Sequence, residues 1–222
     1  MELNSEASSA IIRLIDIKTI TDEQLAAAHG WLSPSESTRL QRLARTERKR
    51  QFMAGRALLR FSIAQLLNIQ ARAISLSEQE RQAPQLHIAG FSPVPFFSIS
   101  HSGNWVACAC SSSTGLGLDI EVLDAKRNLA AIAQHAFGAD DLAWLQNQPD
   151  QVGAFYRLWS IKEARFKLTQ SYAIAPVEHQ YAIEHPAVSI VMMTGQALVG
   201  APEYIVMEWE SVDRFIQSEL RA

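Results

Sequence analysis

Hydrophobic and polar residues alternate most strictly at residues 115–121. There Leu116, Leu118 and Ile120 fall on one face of a strand, and Gly117, Asp119 and Glu121 on the other. Weaker strand patterns occur at residues 11–17, which are rich in isoleucine, and at 96–100 and 105–110, which Ser102-Gly103-Asn104 joins as a hairpin with 116–122 as a further pairing partner. More strands are expected near 174–183, 188–193 and 204–209. Thr21-Asp22-Glu23-Gln24 opens a short helix, and Ser33-Pro34-Ser35-Glu36 opens a second with serine as cap and proline in the first turn. Leu40, Leu43 and Phe52 carry that helical region on, and Ala57, Leu58, Phe61 and Leu66 continue it near the 3.6 period to residue 67. Three prolines and a glycine between 83 and 95 limit that segment to loops and short extended pieces. Helices follow at 130–135, 140–146 and 152–169. This order predicts an α+β fold of two similar halves, residues 1–115 and 116–222.

A chain of 222 residues, 48% hydrophobic and 19% charged, has the composition of an ordinary globular protein with a sizeable core. No run approaches the roughly 20 apolar residues of a membrane span, and the first residues are acidic where a signal peptide is basic. A cytoplasmic protein without a membrane partner is therefore expected. Cys108 and Cys110 would share a strand face with Cα atoms about 7 Å apart, too far for an easy disulfide, and are read as buried thiols. The net charge of −3 conceals a basic stretch from Arg39 to Arg60, broken by Glu47 alone and suited to an anionic partner. Nucleic acid is disfavoured because Phe61 lies on the apolar helix face, where it could not stack on bases.

Three segments carry candidate chemistry. Asp119 and Glu121 project side by side and repel, so they belong either in open solvent at a strand edge or around a hard cation such as Mg²⁺. On the helix around residues 155–167, Phe155, Trp159, Glu163 and Lys167 recur every four residues; Lys167 can serve that glutamate as a surface pair, or a phosphate. His101 stands among small hydroxyl residues at a turn, where a charged imidazole and backbone amides near Gly103 could hold phosphate, or the histidine could be incidental.

Taken together and in order, Ser100-His101-Ser102-Gly103, Gly117-Leu118-Asp119-Ile120-Glu121 and Trp159-Ser160-Ile161-Lys162-Glu163 resemble the signature of the Sfp-type 4′-phosphopantetheinyl transferases, over roughly residues 30–172. The resemblance implies a Mg²⁺-dependent transfer of phosphopantetheine from coenzyme A to a serine of an apo acyl or peptidyl carrier protein, with release of 3′,5′-ADP, by a monomer whose active site lies between its halves. By motif position it implies Asp119, Glu121 and Glu163 as metal ligands, Lys167 and His101 at the phosphates, and Glu163 or a metal-bound water beside Glu121 as the base. Arg39, Arg56, Ser100 and Lys162 are further implied cofactor contacts. Two positions depart from the family pattern. Gln82-Ala83-Pro84 stands where relatives read Gly-Lys-Pro, and Gln170-Ser171-Tyr172 where glycines are usual. A non-catalytic coenzyme A or carrier-binding module with the same fold is the alternative.

Overall fold

The computed structural model describes residues 9–80, 82–172 and 179–221. Strand β1 (Ile11–Asp16) sits inside a four-stranded sheet, between β5 (Trp105–Ser111), which β4 (Phe96–Ser102) flanks, and β9 (Glu203–Met207). The hairpin of β4 (Phe96–Ser102) and β5 (Trp105–Ser111) turns at Gly103, whose positive φ of 54° suits a residue without Cβ. Ile15, Cys108 and Cys110 face the long helix α3 (Thr46–Leu67), which buries Ala54, Ala57, Leu58 and Ile63 against them. The two thiols are free and buried, their sulfurs 3.7 Å apart.

A second sheet, ordered β6-β8-β7, is built from β6 (Leu116–Val122), β7 (His179–Ile183) and β8 (Val188–Thr194). Leu116, Leu118 and Ile120 pack in one cluster with Ile12, Leu14, Ala107 and Ala109 of the first sheet, so the halves meet through a shared apolar core. Each fully buried side chain of this kind contributes about 1.5–3 kcal/mol relative to exposure. The other face of the second sheet is covered by helix α6 (Gln151–Tyr172), where Ala164 and Leu168 meet Val191 and Met193. Two short helices, α4 (Leu129–Ala136) and α5 (Ala139–Gln146), flank α6. The fold is thus α+β, with helix on sheet in both halves.

Several expectations change. Residues 34–67 are two helices: α2 (Pro34–Arg42) stops where Leu43 turns extended, and α3 begins at Thr46. Leu66 is 39% exposed and not part of the helix's core face. Residues 74–77 and 85–88 form a small hairpin, β2 and β3. β6 pairs with β8 and not with the β4–β5 hairpin. The strand expected from 174 is described only as β7, since 173–178 lie outside the described residues. Strand β9 (Glu203–Met207) ends before Trp209, which starts an unanticipated helix, α7 (Trp209–Arg221). β9 runs parallel to β1, and Trp209, Val212 and Ile216 complete the core under α3. Residues 203–221, which sequence order placed in the second half, therefore complete the first. Among the described residues no helix is long and apolar enough to cross a membrane.

Candidate active site

The site forms where α6 lies almost in backbone contact with β6. A Cβ on Gly117 would stand 2.0 Å from the carbonyl oxygen of Ala164 and 2.6 Å from the amide nitrogen of Leu168, so only glycine permits this approach. It brings Lys167 of α6 to Asp119 of β6. Lys167 Nζ donates to Asp119 Oδ1 at 2.8 Å, and also to the Leu118 carbonyl and Ser100 Oγ, each at 2.9 Å. Lys167 thus pairs with the strand acid and not with Glu163, its neighbour one turn back.

Asp119 is 4% exposed, and its second oxygen, Oδ2, is buried with no hydrogen-bond partner. Such an atom is costly unless a cation or donor meets it. Beside it, burial raises the Glu121 carboxyl above its ordinary value, with Asp119 adding and the Ser102 hydroxyl opposing. Glu163 is half-buried and has no partner among the described residues. These hard oxygens fit Mg²⁺, which usually takes one or two carboxylates and completes its shell with phosphate and water. The fit rests on Asp119 and Glu121. Among the described residues no three carboxylate, histidine or cysteine side chains are already gathered as a metal cluster.

The two sheets also meet along β4 and β6, through side chains. Ser98, Ser100 and Ser102 accept hydrogen bonds from the backbone amides of Leu118, Ile120 and Val122 at 3.0, 3.2 and 3.1 Å. Ser100 donates to Asp119 Oδ1 at 3.0 Å, and Ser102 to Glu121 Oε2 at 2.8 Å. Ser100, expected to contact cofactor, instead spends its hydroxyl in this seam, because it already meets an amide, a carboxylate and an ammonium group. Period two in both strands brings the rungs into line.

Next to the carboxylates lies a cavity of about 760 Å³, lined by Arg39, Arg48, Arg56, His101 and Lys167 among others. That volume is in the range of small-molecule and cofactor sites, roughly 300–1,000 Å³. Arg56 lies 4.6 Å over the ring of Phe52, which also lines the cavity. Arg39 and Arg56 share the carboxylate of Glu78, and Arg56 Nε lies 3.1 Å from Glu36. Glu36 is fully buried: it closes the cap of α2 by accepting from the Ser33 amide at 2.8 Å, and it binds Arg60 at 2.6 Å. An acid at this position therefore anchors α2 to α3.

Arg48 contacts both ring nitrogens of His101, at 2.8 and 2.7 Å. Burial, reinforced by Arg48, pulls the His101 pKa down to about 4. The imidazole is therefore neutral at pH 7 and not the charged group expected, and Arg48 supplies the fixed charge. Lys162 is exposed and donates to the Ala136 carbonyl at the end of α4, so it is absent from the cavity wall. Its position, one residue before Glu163, turns it about 100° away around α6. Both departures from the family pattern lie on the cavity. Ala83 itself offers no cation to that wall, whereas the Tyr172 hydroxyl donates to the Phe97 carbonyl at 2.6 Å and accepts from its amide at 2.9 Å, tying α6 to β4.

Residues 19–113 match a family model described as 4′-phosphopantetheinyl transferase, N-terminal, and residues 115–184 match the 4′-phosphopantetheinyl transferase superfamily. The chain belongs to the 4′-phosphopantetheinyl transferase superfamily. It is similar to the 4′-phosphopantetheinyl transferase HetI of Nostoc sp., at 29% identity over 67% of this chain and 63% of the relative. A 4′-phosphopantetheinyl transferase of Bacillus subtilis is 32% identical over 66% and 62% of the two chains, and Sfp of Bacillus subtilis 29% identical over 68% and 65%. The chain thus spans somewhat less than two thirds of the length of these relatives. Within this superfamily chain the two matched regions abut between β5 and β6, where the structure passes from one sheet to the other.

Of the functional-looking residues, Arg48, Ser98 and Glu78 were given no individual role in sequence, Ser102 appeared only within the turn motif, and Tyr172 only within a departure from the family pattern. The serines were visible as a period-two series, and Arg48 belonged to the basic stretch. Glu78 carries no local signal, since its partners lie 22 and 39 residues away.

Proposed function

We propose that this chain is a monomeric cytoplasmic enzyme that transfers the 4′-phosphopantetheine of coenzyme A to a serine of an apo carrier protein, with Mg²⁺ held by Asp119 and Glu121 and approached by Glu163. The observation that carries this reading is the buried, unpartnered Asp119 Oδ2 beside Glu121, linked through Lys167 to a cavity of cofactor size that Lys167 lines together with three arginines. When bound, the metal would supply positive charge against the pyrophosphate as negative charge develops on it.

The chain's own residues would do the rest. Arg39, Arg48 and Arg56 would hold the nucleotide phosphates, and His101 would add a hydrogen bond. Lys167, with three donors on a flexible stem, would exchange the Asp119 contact for a phosphate oxygen. Glu163, without a partner among the described residues, would take the serine proton. The serine oxygen then bonds to the pantetheine-bearing phosphorus, the bridging P–O bond breaks, and its electron pair leaves with 3′,5′-ADP. A single chain suffices, because His101 and Arg48 of one half and Lys167 of the other line one cavity.

Incubating the protein with coenzyme A, Mg²⁺ and a panel of apo carriers tests this through the carriers' intact mass. A gain of one phosphopantetheine is expected, abolished by EDTA and slowed at least about 100-fold by Glu163→Ala. Coenzyme A binding without transfer to any carrier would establish the binding-module alternative, with Ala83 as the place to look.

Glu78 also makes a prediction. It neutralises part of the positive charge of Arg39 and Arg56, so Glu78→Gln is expected to tighten coenzyme A binding roughly fivefold at low salt, about what a pair with one exposed member, as Arg39 is here, contributes. Titration calorimetry at 20 mM and 300 mM salt should show the gain shrinking as screening grows. An unchanged affinity at low salt would mean that Glu78 does not oppose the phosphate.

A further inference from the structure

The seam serines divide the oxygens of the two strand acids in the same way. Ser100 and Lys167 hold Oδ1 of Asp119 and leave Oδ2 unpartnered; Ser102 holds Oε2 of Glu121 and leaves Oε1 with no hydrogen bond among the described residues. A serine hydroxyl has one hydrogen. The amide of Val122 occupies a lone pair of Ser102 Oγ at 3.1 Å, which leaves that hydrogen to point at Glu121. The carboxylate is thereby fixed from the opposite sheet before any cation arrives. Ser98 makes the same seam bond to Leu118, but it lies beside Gly117, which has no side chain to orient.

We infer that Ser102 is a positioning residue for the metal site, presetting Glu121 so that its free oxygen and Asp119 Oδ2 face one cation. The inference rests on the proposal that these acids bind metal. A hydrogen-bonded outer partner of a metal ligand typically changes metal affinity about 10- to 100-fold when removed. The hydroxyl belongs to the half that also carries His101 and Arg48, so the same rung that joins the sheets sets the metal acids against the cation-lined cavity.

The test is Mn²⁺ binding followed by the loss of the free-ion EPR signal, with and without coenzyme A, in the unsubstituted protein and in Ser102→Ala, Ser102→Thr and Ser98→Ala. Ser102→Ala is expected to weaken Mn²⁺ binding about tenfold, and Ser102→Thr, which keeps the hydroxyl, to restore most of it. Ser98→Ala loses an equivalent seam bond, so it should lower the melting temperature to a similar degree while leaving Mn²⁺ affinity within about twofold. Unchanged affinity in Ser102→Ala, or an equal loss in Ser98→Ala, would overturn the inference and reduce the serines to a structural seam. If the unsubstituted protein binds no Mn²⁺ even with coenzyme A, the metal proposal itself fails and takes this inference with it.

Discussion

Replacing Asp119 by asparagine is expected to lower kcat/KM for phosphopantetheine transfer at least about 1,000-fold, some 4 kcal/mol of transition-state stabilisation, while the chain stays folded. The amide has nearly the shape of the carboxylate and can still accept from Ser100 and Lys167 through its oxygen, so the seam survives. What disappears is the negative charge on the buried Oδ2, the atom with no protein partner. Lys167 would lose its counter-ion, but its side chain is 27% exposed and can turn towards water, which limits the structural cost. Steady-state transfer rates with a competent apo carrier, alongside far-UV circular dichroism, separate the two effects. A variant that keeps more than about a tenth of the activity would remove Asp119 from the metal site.

Gly117→Ala is expected to damage both the fold and the site. Its Cβ would meet backbone atoms of Ala164 and Leu168 at 2.0 and 2.6 Å, and neither can rotate aside as a side chain would. Helix α6 must therefore move away from β6. Overpacking of this kind costs roughly 3 kcal/mol, and a displacement of even 1 Å at a catalytic constellation can cost about 100-fold in rate. The measurement is thermal denaturation together with the transfer assay. Because Lys167 and Glu163 ride on α6 while Asp119 and Glu121 ride on β6, activity should fall further than stability alone explains. A variant of native melting temperature and native rate would show that the helix–strand approach is looser than 2.0 Å implies.

The two substitutions test different things, one a charge and the other a distance. They also mark where sequence reasoning succeeded and where it stopped. Alternation placed Asp119 and Glu121 together because a strand's period is two, a local property that no tertiary contact alters. The same rule identified β6, isoleucine richness identified β1, the turn at Ser102-Gly103-Asn104 identified the hairpin of β4 and β5, and the cap at Ser33 identified the start of α2. Helix α7 carried a readable apolar series in Trp209, Val212 and Ile216, yet a strand pattern ending at the same tryptophan obscured it.

Charge was harder to read. The basic stretch gave no indication which cations were committed. Arg60 is wholly buried on Glu36 and Arg50 holds the Ile17 and Ile20 carbonyls, whereas Arg39, Arg48 and Arg56 reach the cavity. Arg60 and Arg56 differ by one helical turn, and only their neighbours in space distinguish them. Lys162 and Lys167 show the same limit, since both are lysines on one helix, yet one caps α4 and the other holds Asp119. His101 was identified as a residue but not in its charge state, because its low pKa comes from burial and from Arg48, 53 residues away.

By itself, then, the sequence determined most of the local elements, the α+β class, the carboxylate pair and the motif order that points to the superfamily, all of which depend on residues near one another in the chain. Tertiary structure alone decided that β9 and α7 return to the first sheet, that α6 approaches Gly117 closely enough to deliver Lys167 to Asp119, and that three serines join the halves. Those outcomes depend on which surfaces meet when apolar faces are buried, and burial brings together residues whose separation along the chain leaves no trace in any local pattern.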